Sequence, residues 1–177
     1  MAVYLCFGSQ PYNLKSWLIR KLTRGPYSHT WIEYDSDTWG AKMVVHAQPS
    51  GIVVEAPETV YEEYTLMKRY QCTFSGAEEG LRKCYGYIGK PYDYKVILTH
   101  MFLLILYYMV PIKKFRDWLW TKTVTNSSAY SCSELGALLL LNSGYFPAQD
   151  MDPELVTPTD LSQFCSERPL DFLPEKV

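Results

Sequence analysis

The spacing of apolar residues changes several times along the chain, and each change marks an element. Val3 to Phe7 is a short apolar run, so residues 2–7 read as a strand. Residues 14–23 carry Leu14, Trp17, Leu18 and Leu22 at helical spacing, with Lys15, Arg20 and Lys21 between them. Gly25-Pro26 ends that helix. Strands are expected at 28–34, 42–48 and 52–56, and another near 65–73. Ser75-Gly76-Ala77-Glu78 has capping-box spacing and predicts a helix through about Ile88, stopped by Gly89-Lys90-Pro91. Residues 96–110 are strongly apolar, and 111–120 are amphipathic with Lys113, Lys114 and Arg116. Ser131-Cys132-Ser133-Glu134 is a second capping box, opening a helix that ends near Asn142 and Gly144. The tail contains Pro153, Pro158, Pro169 and Pro174 and reads as extended surface chain. The sum is an α+β class, with helices packed on one antiparallel sheet in a single domain over 1–177.

Composition narrows the chemistry. The net charge is −2, so nothing in the bulk electrostatics draws nucleic acid. Aromatic residues make up 15% of the chain, which suits a cleft for an apolar or extended partner and equally a well-packed core; the core is the default. The five cysteines are Cys6, Cys72, Cys84, Cys132 and Cys165. Their odd number and the lack of a C-x-x-C spacing argue against a disulfide framework and a zinc knuckle. The segment Met1 to Phe7 lacks the basic and long apolar regions of a signal peptide, so a reducing cytoplasm is the expected compartment.

Cys132 is the strongest nucleophile candidate. With Ser131 as N-cap, Cys132 is the first helical residue, beside free backbone N–H groups and the positive end of the helix dipole, which stabilise a thiolate. Leu135, Leu138 and Leu139 would anchor that helix in the core. The competing reading is a small buried hydrophobe that happens to start a helix.

The histidines are His29, His46 and His100. Folding 28–34 onto 42–48 about a midpoint between Asp37 and Thr38 sets His29 opposite His46 and Glu33 opposite Lys42. His46 could then fix the tautomer and tilt of His29 as base. Glu33, four residues along the same strand at roughly 13 Å, is out of reach and fits a salt bridge with Lys42. Glu55 on the next strand is the reserve third member. The competing reading makes both histidines half-exposed strand residues without a joint role. His100 reads as a core histidine.

These residues resemble the YiiX-like branch of the NlpC-type papain-like superfamily, in which the chain order is permuted. Tyr27-Ser28-His29 is similar to the family's Y-S-H strand start. Val44-Val45-His46-Ala47 followed by Gly51-Ile52 is similar to its next strand. Gly89-Lys90-Pro91-Tyr92-Asp93 resembles its G-K-P-Y-D turn, and Tyr130-Ser131-Cys132-Ser133-Glu134-Leu135 its nucleophile helix. Thr157-Pro158-Thr159-Asp160-Leu161 resembles its T-P-x-D-L segment. The resemblance implies a circularly permuted papain-like fold and a cysteine peptidase or amidase. Such an enzyme cleaves an amide, peptide, ester or thioester bond through an acyl-enzyme. Relatives commonly carry Glu where this chain has His46, while non-permuted relatives often use His there. Cys132, His29 and His46 would form the triad, with the Cys132 N–H and a group near Tyr92 at the oxyanion and Ser131 and Tyr27 lining the cleft. No metal or organic cofactor is implied. Expected substrates are a peptide, a peptidoglycan stem or an acylated molecule; oligomeric state is left open.

Residues 95–120 fall between the G-K-P-Y-D turn and the nucleophile helix and read as an apolar insertion. Val96 to Val110 spans about 15 residues, short of the roughly 20 that a crossing helix needs. It reads as a buried helix. The rival reading is a peripheral membrane or acyl-chain contact, helped by Tyr107, Tyr108, Trp118 and Trp120 near basic side chains. Two functions therefore compete with the hydrolase: a lipid-directed acyltransferase or esterase, and a non-catalytic binding module.

Overall fold

The computed structural model describes residues 1–93 and 129–177. The apolar insertion at 95–120, His100, and Tyr107, Tyr108, Trp118 and Trp120 lie outside the described residues. The architecture is α+β: a six-stranded antiparallel sheet with helices on both faces. The strands are β1 (Val3–Ser9), β2 (His29–Ser36), β3 (Ala41–Gln48), β4 (Gly51–Glu55), β5 (Thr65–Cys72) and β6 (Phe172–Glu175). Their spatial order is β4-β3-β2-β1-β5-β6. Five α-helices stand among the described residues: α1 (Leu14–Thr23), α2 (Pro57–Glu63), α3 (Ala77–Cys84), α4 (Cys132–Asn142) and α5 (Pro158–Ser166).

The two faces of the sheet follow from strand alternation. Leu5, Phe7, Ile32, Tyr34, Val45 and Ala47 face one way and pack with Leu135, Leu139 and Leu140 of α4 and Leu81 of α3. Burying a leucine completely contributes about 2 kcal/mol, so α4 is a firm support for the residue at its start. Tyr4, Cys6, Trp31 and Val44 face the other way, beneath Val60 of α2.

Several expectations need correction. The hairpin register pairs Asp35 with Lys42 and Glu33 with Val44, a slip of two residues from the midpoint argument. Lys42 still reaches both carboxylates, at 2.8 Å from Asp35 and 3.6 Å from Glu33. Helix α3 is capped by Gly76 at φ 93°, with no side-chain cap, so the Ser75 capping box does not form. The tail is not extended surface chain. Thr157 and Asp160 make a reciprocal capping box with Pro158 at the first turn, which starts α5. Phe172–Glu175 then pairs with β5 as the edge strand β6, where Pro174 is tolerated. Helix α2 was not anticipated at all. In α1, Leu14 and Trp17 of the helically spaced apolar set are exposed, while Ser16 is buried. The Ser16 hydroxyl lies 2.6 Å from that of Ser28 and tethers the helix.

Candidate active site

The site forms at the start of β2, where the N-terminus of α4 meets the sheet. Ser131 caps α4 as expected: its hydroxyl accepts from the Glu134 N–H at 3.2 Å, and the Glu134 carboxylate accepts from the Ser131 N–H at 3.0 Å. Cys132 is therefore the first helical residue. The backbone N–H groups of Thr30 and Ser133 and the Tyr92 side chain lie around its sulfur and favour the thiolate. Burial nevertheless outweighs these donors and raises the thiol pKa above its ordinary value. The dipole and N–H groups thus moderate the rise without producing a resting thiolate. Burial raises all four other thiols further: Cys84 is pushed up to about 12, and Cys6, Cys72 and Cys165 also rise strongly.

Tyr92 reaches the sulfur because its turn is docked at two points. The Ile52 N–H donates to the Lys90 carbonyl at 2.9 Å, and the Gly89 N–H donates back to Ile52 at 2.8 Å. Tyr92 also bridges to Tyr130, two residues before the nucleophile. Gly51 has φ 118°, and a Cβ there would lie 2.6 Å from the Lys90 oxygen, so the approach of this turn to β4 requires glycine.

On the other face of the sheet, His29, His46 and Glu55 form one hydrogen-bonded chain. His29 Nε2 lies 2.9 Å from His46 Nδ1, and His46 Nε2 lies 2.8 Å from Glu55 Oε1. The histidines are diagonal across the hairpin, not directly opposed; a slip of two keeps both on one face. Both rings are buried, at 3% and 1% exposure. Burial, with the charge of His46 second, depresses the His29 pKa strongly. Burial lowers that of His46 too, against the opposing pull of Glu55 and Glu63. The resting pair is neutral at neutral pH.

With Glu55 as a carboxylate, the tautomers follow. Glu55 accepts from His46 Nε2–H, so His46 Nδ1 carries a lone pair and accepts from His29 Nε2–H. The basic nitrogen of His29 is then Nδ1.

Thr30, whose N–H lies by the Cys132 sulfur, follows His29 directly. Tyr64, just past α2, borders both groups: its ring stacks on His29 at 4.3 Å between centroids, and its hydroxyl pKa is raised by burial and then by Cys132. Among the described residues no direct hydrogen bond joins Cys132 to His29. The structure thus joins His29, His46 and Glu55 in one chain and sets Tyr92 against Cys132, with Tyr64 bordering both groups. It sets two predicted residues to other work: the Ser131 hydroxyl is used by its cap, and Tyr27 packs in the core at 5.5 Å from Phe7. Glu33 is fully buried beneath α2, bonded by Tyr61 and by Arg69 at 3.2 Å. Tyr64 escaped sequence reasoning because the short α2 carries no apolar period. Among the described residues no cluster of His, Cys, Asp and Glu is arranged to hold a metal ion. No helix among them is long and apolar enough to cross a membrane. No family model matches the chain, and no curated protein matches it either.

Proposed function

We propose that the chain is a cysteine hydrolase of permuted papain-like type, acting on an amide, peptide or thioester bond through an acyl-enzyme. The observation that carries this reading is the hydrogen-bonded His29–His46–Glu55 chain, bordered by the same Tyr64 that neighbours the helix-capped Cys132. Its polarity is directional. Glu55 fixes His46, His46 fixes His29, and the lone pair of His29 falls on Nδ1 for the thiol proton. Because the thiol and imidazole rest neutral, proton transfer accompanies attack on the acyl carbon instead of preceding it. The Cys132 sulfur forms a bond to that carbon, His29 takes its proton, and the leaving group departs with the same proton. Water then adds to the thioester with His29 as base, the C–S bond breaks to release the acid, and the proton on His29 returns to the Cys132 sulfur. In this reading the Cys132 N–H and the Tyr92 hydroxyl donate to the oxyanion.

Site-resolved alkylation by iodoacetamide across pH tests the assignment. Cys132 should react fastest of the five, with a rate that climbs above neutral pH, and His29→Ala should slow it. Faster reaction at Cys6 or Cys165 overturns the assignment. Mass spectrometry of acyl groups trapped on Cys132 in lysate then names the substrate class.

A further inference from the structure

Helix α1 is capped at both ends and carries an exposed face that no other described element uses. Asn13 caps its start, accepting from the N–H groups of Lys15 at 2.8 Å and Ser16 at 3.3 Å. Arg24 ends it in the left-handed conformation at φ 51°, and Gly25 seats the end against Thr159 of α5. The outward side combines two kinds of side chain. Tyr12 is fully exposed, Leu14 is 76% exposed and Trp17 is 49% exposed. Beside them Trp17, Arg20, Lys21 and Arg24 line one open hollow of about 560 Å³, with the Lys21 ammonium 6.0 Å from the Trp17 ring.

We infer that α1 docks on an anionic lipid surface, with Tyr12, Leu14 and Trp17 in the interfacial layer and Lys15, Arg20, Lys21 and Arg24 against lipid phosphates. Tyrosine and tryptophan favour the headgroup level, since each has an apolar body and a polar tip. Basic side chains flanking an exposed apolar stripe add attraction to anionic headgroups. The charge pattern selects this occupant. A second copy of the chain pairing through the same face would set these cations against themselves. A nucleic acid would leave the exposed Tyr12, Leu14 and Trp17 side chains unused. The surface is independent of the catalytic reading. It does bear on substrate, because the Ser16–Ser28 tether fixes α1 to the residue preceding His29, which would hold the site close to the membrane plane.

Flotation of the full chain with vesicles tests the inference. Phosphatidylcholine vesicles containing about a third phosphatidylserine should carry the protein up, and pure phosphatidylcholine vesicles should carry much less. Raising salt should weaken the partitioning. The variant R20E/K21E/R24E should bind anionic vesicles at least about ten-fold more weakly, and Trp17→Ala should also bind more weakly. These side chains are at the surface, and unchanged near-ultraviolet dichroism and Cys132 alkylation will show that the fold and site persist. Equal partitioning by the triple variant and the wild type overturns the inference. So does equal binding to neutral vesicles, or retention of an RNA oligonucleotide without binding to vesicles.

Discussion

His46 holds two bonds in sequence, and their direction makes it the residue whose replacement is most informative. Alanine at 46 breaks the chain on both sides and leaves His29 free to choose its tautomer. We expect turnover, or labelling by an acyl probe, to fall about 10²-fold or more, as when an orienting group is lost from a triad. Glutamate at 46 could accept from His29, but it would stand beside Glu55 with the same charge. Glu55→Gln should therefore improve His46→Glu, although it harms the wild type by removing the acceptor that sets the His46 tautomer. Probe labelling of Cys132 across these variants is the measurement, and additive losses would show that Glu55 and His46 act separately. The pair itself was legible in the sequence. Folding the hairpin put both histidines on one face, and the register error of two residues preserved that face, where an error of one would have separated them. Glu55 was legible as a reserve candidate. Its place in series with His46 was not, because the register of β4 depends on the Gly51 turn and on the docking of Lys90.

At the scale of elements, the site depends on turns that carry no catalytic group. Gly51 is the clearest case. Alanine there meets positive φ and the Lys90 carbonyl together. The turn from Gly89 to Asp93 must then move, and with it the Tyr92 side chain that lies by the Cys132 sulfur. Gly51→Ala should consequently reproduce Tyr92→Phe in slowing Cys132 labelling, and should add a stability loss of about 1–3 kcal/mol that Tyr92→Phe lacks. Denaturant midpoints together with labelling rates separate the two effects. The elements read most reliably from sequence were those with a strong period or a complete cap: β1 to β5, and α4 with its Ser131–Glu134 box. Thr157-Pro158-Thr159-Asp160 carries an equally complete cap, but the prolines around it suggested a tail. One of them starts α5, and another sits in the edge strand β6, both positions that suit proline. Helix α2 offered too little signal: seven residues, no side-chain cap, and burial only at Pro57 and Val60.

At the scale of the whole molecule, the buried titrating groups at the site set opposing slopes on stability with pH. His29 and His46 have depressed pKa values in the folded chain, against about 6.5 when unfolded. Below about 6.5 the unfolded chain binds protons that the folded chain refuses, so acidification destabilises the fold. Glu134 has the opposite sign. Burial raises its carboxyl to about 7, so the folded chain holds a proton that the unfolded chain releases near 4.3. Its contribution is fully present below about 4.3 and is lost as pH rises through about 7. Between about 4.3 and 6.5 one glutamate therefore offsets part of the demand of two histidines, each full proton difference being worth about 1.4 kcal/mol per pH unit. Glu134→Gln removes this offset while keeping a side chain that can accept from the Ser131 N–H. We expect the variant to match the wild type or exceed it slightly at alkaline pH. Its stability should then fall more steeply from neutral to about pH 5. His29→Ala should do the reverse and flatten the acid limb. Urea midpoints measured across this range decide the matter, since slopes that stay parallel in the wild type and Glu134→Gln would mean that Glu134 ionises as readily in the folded chain as in the unfolded one.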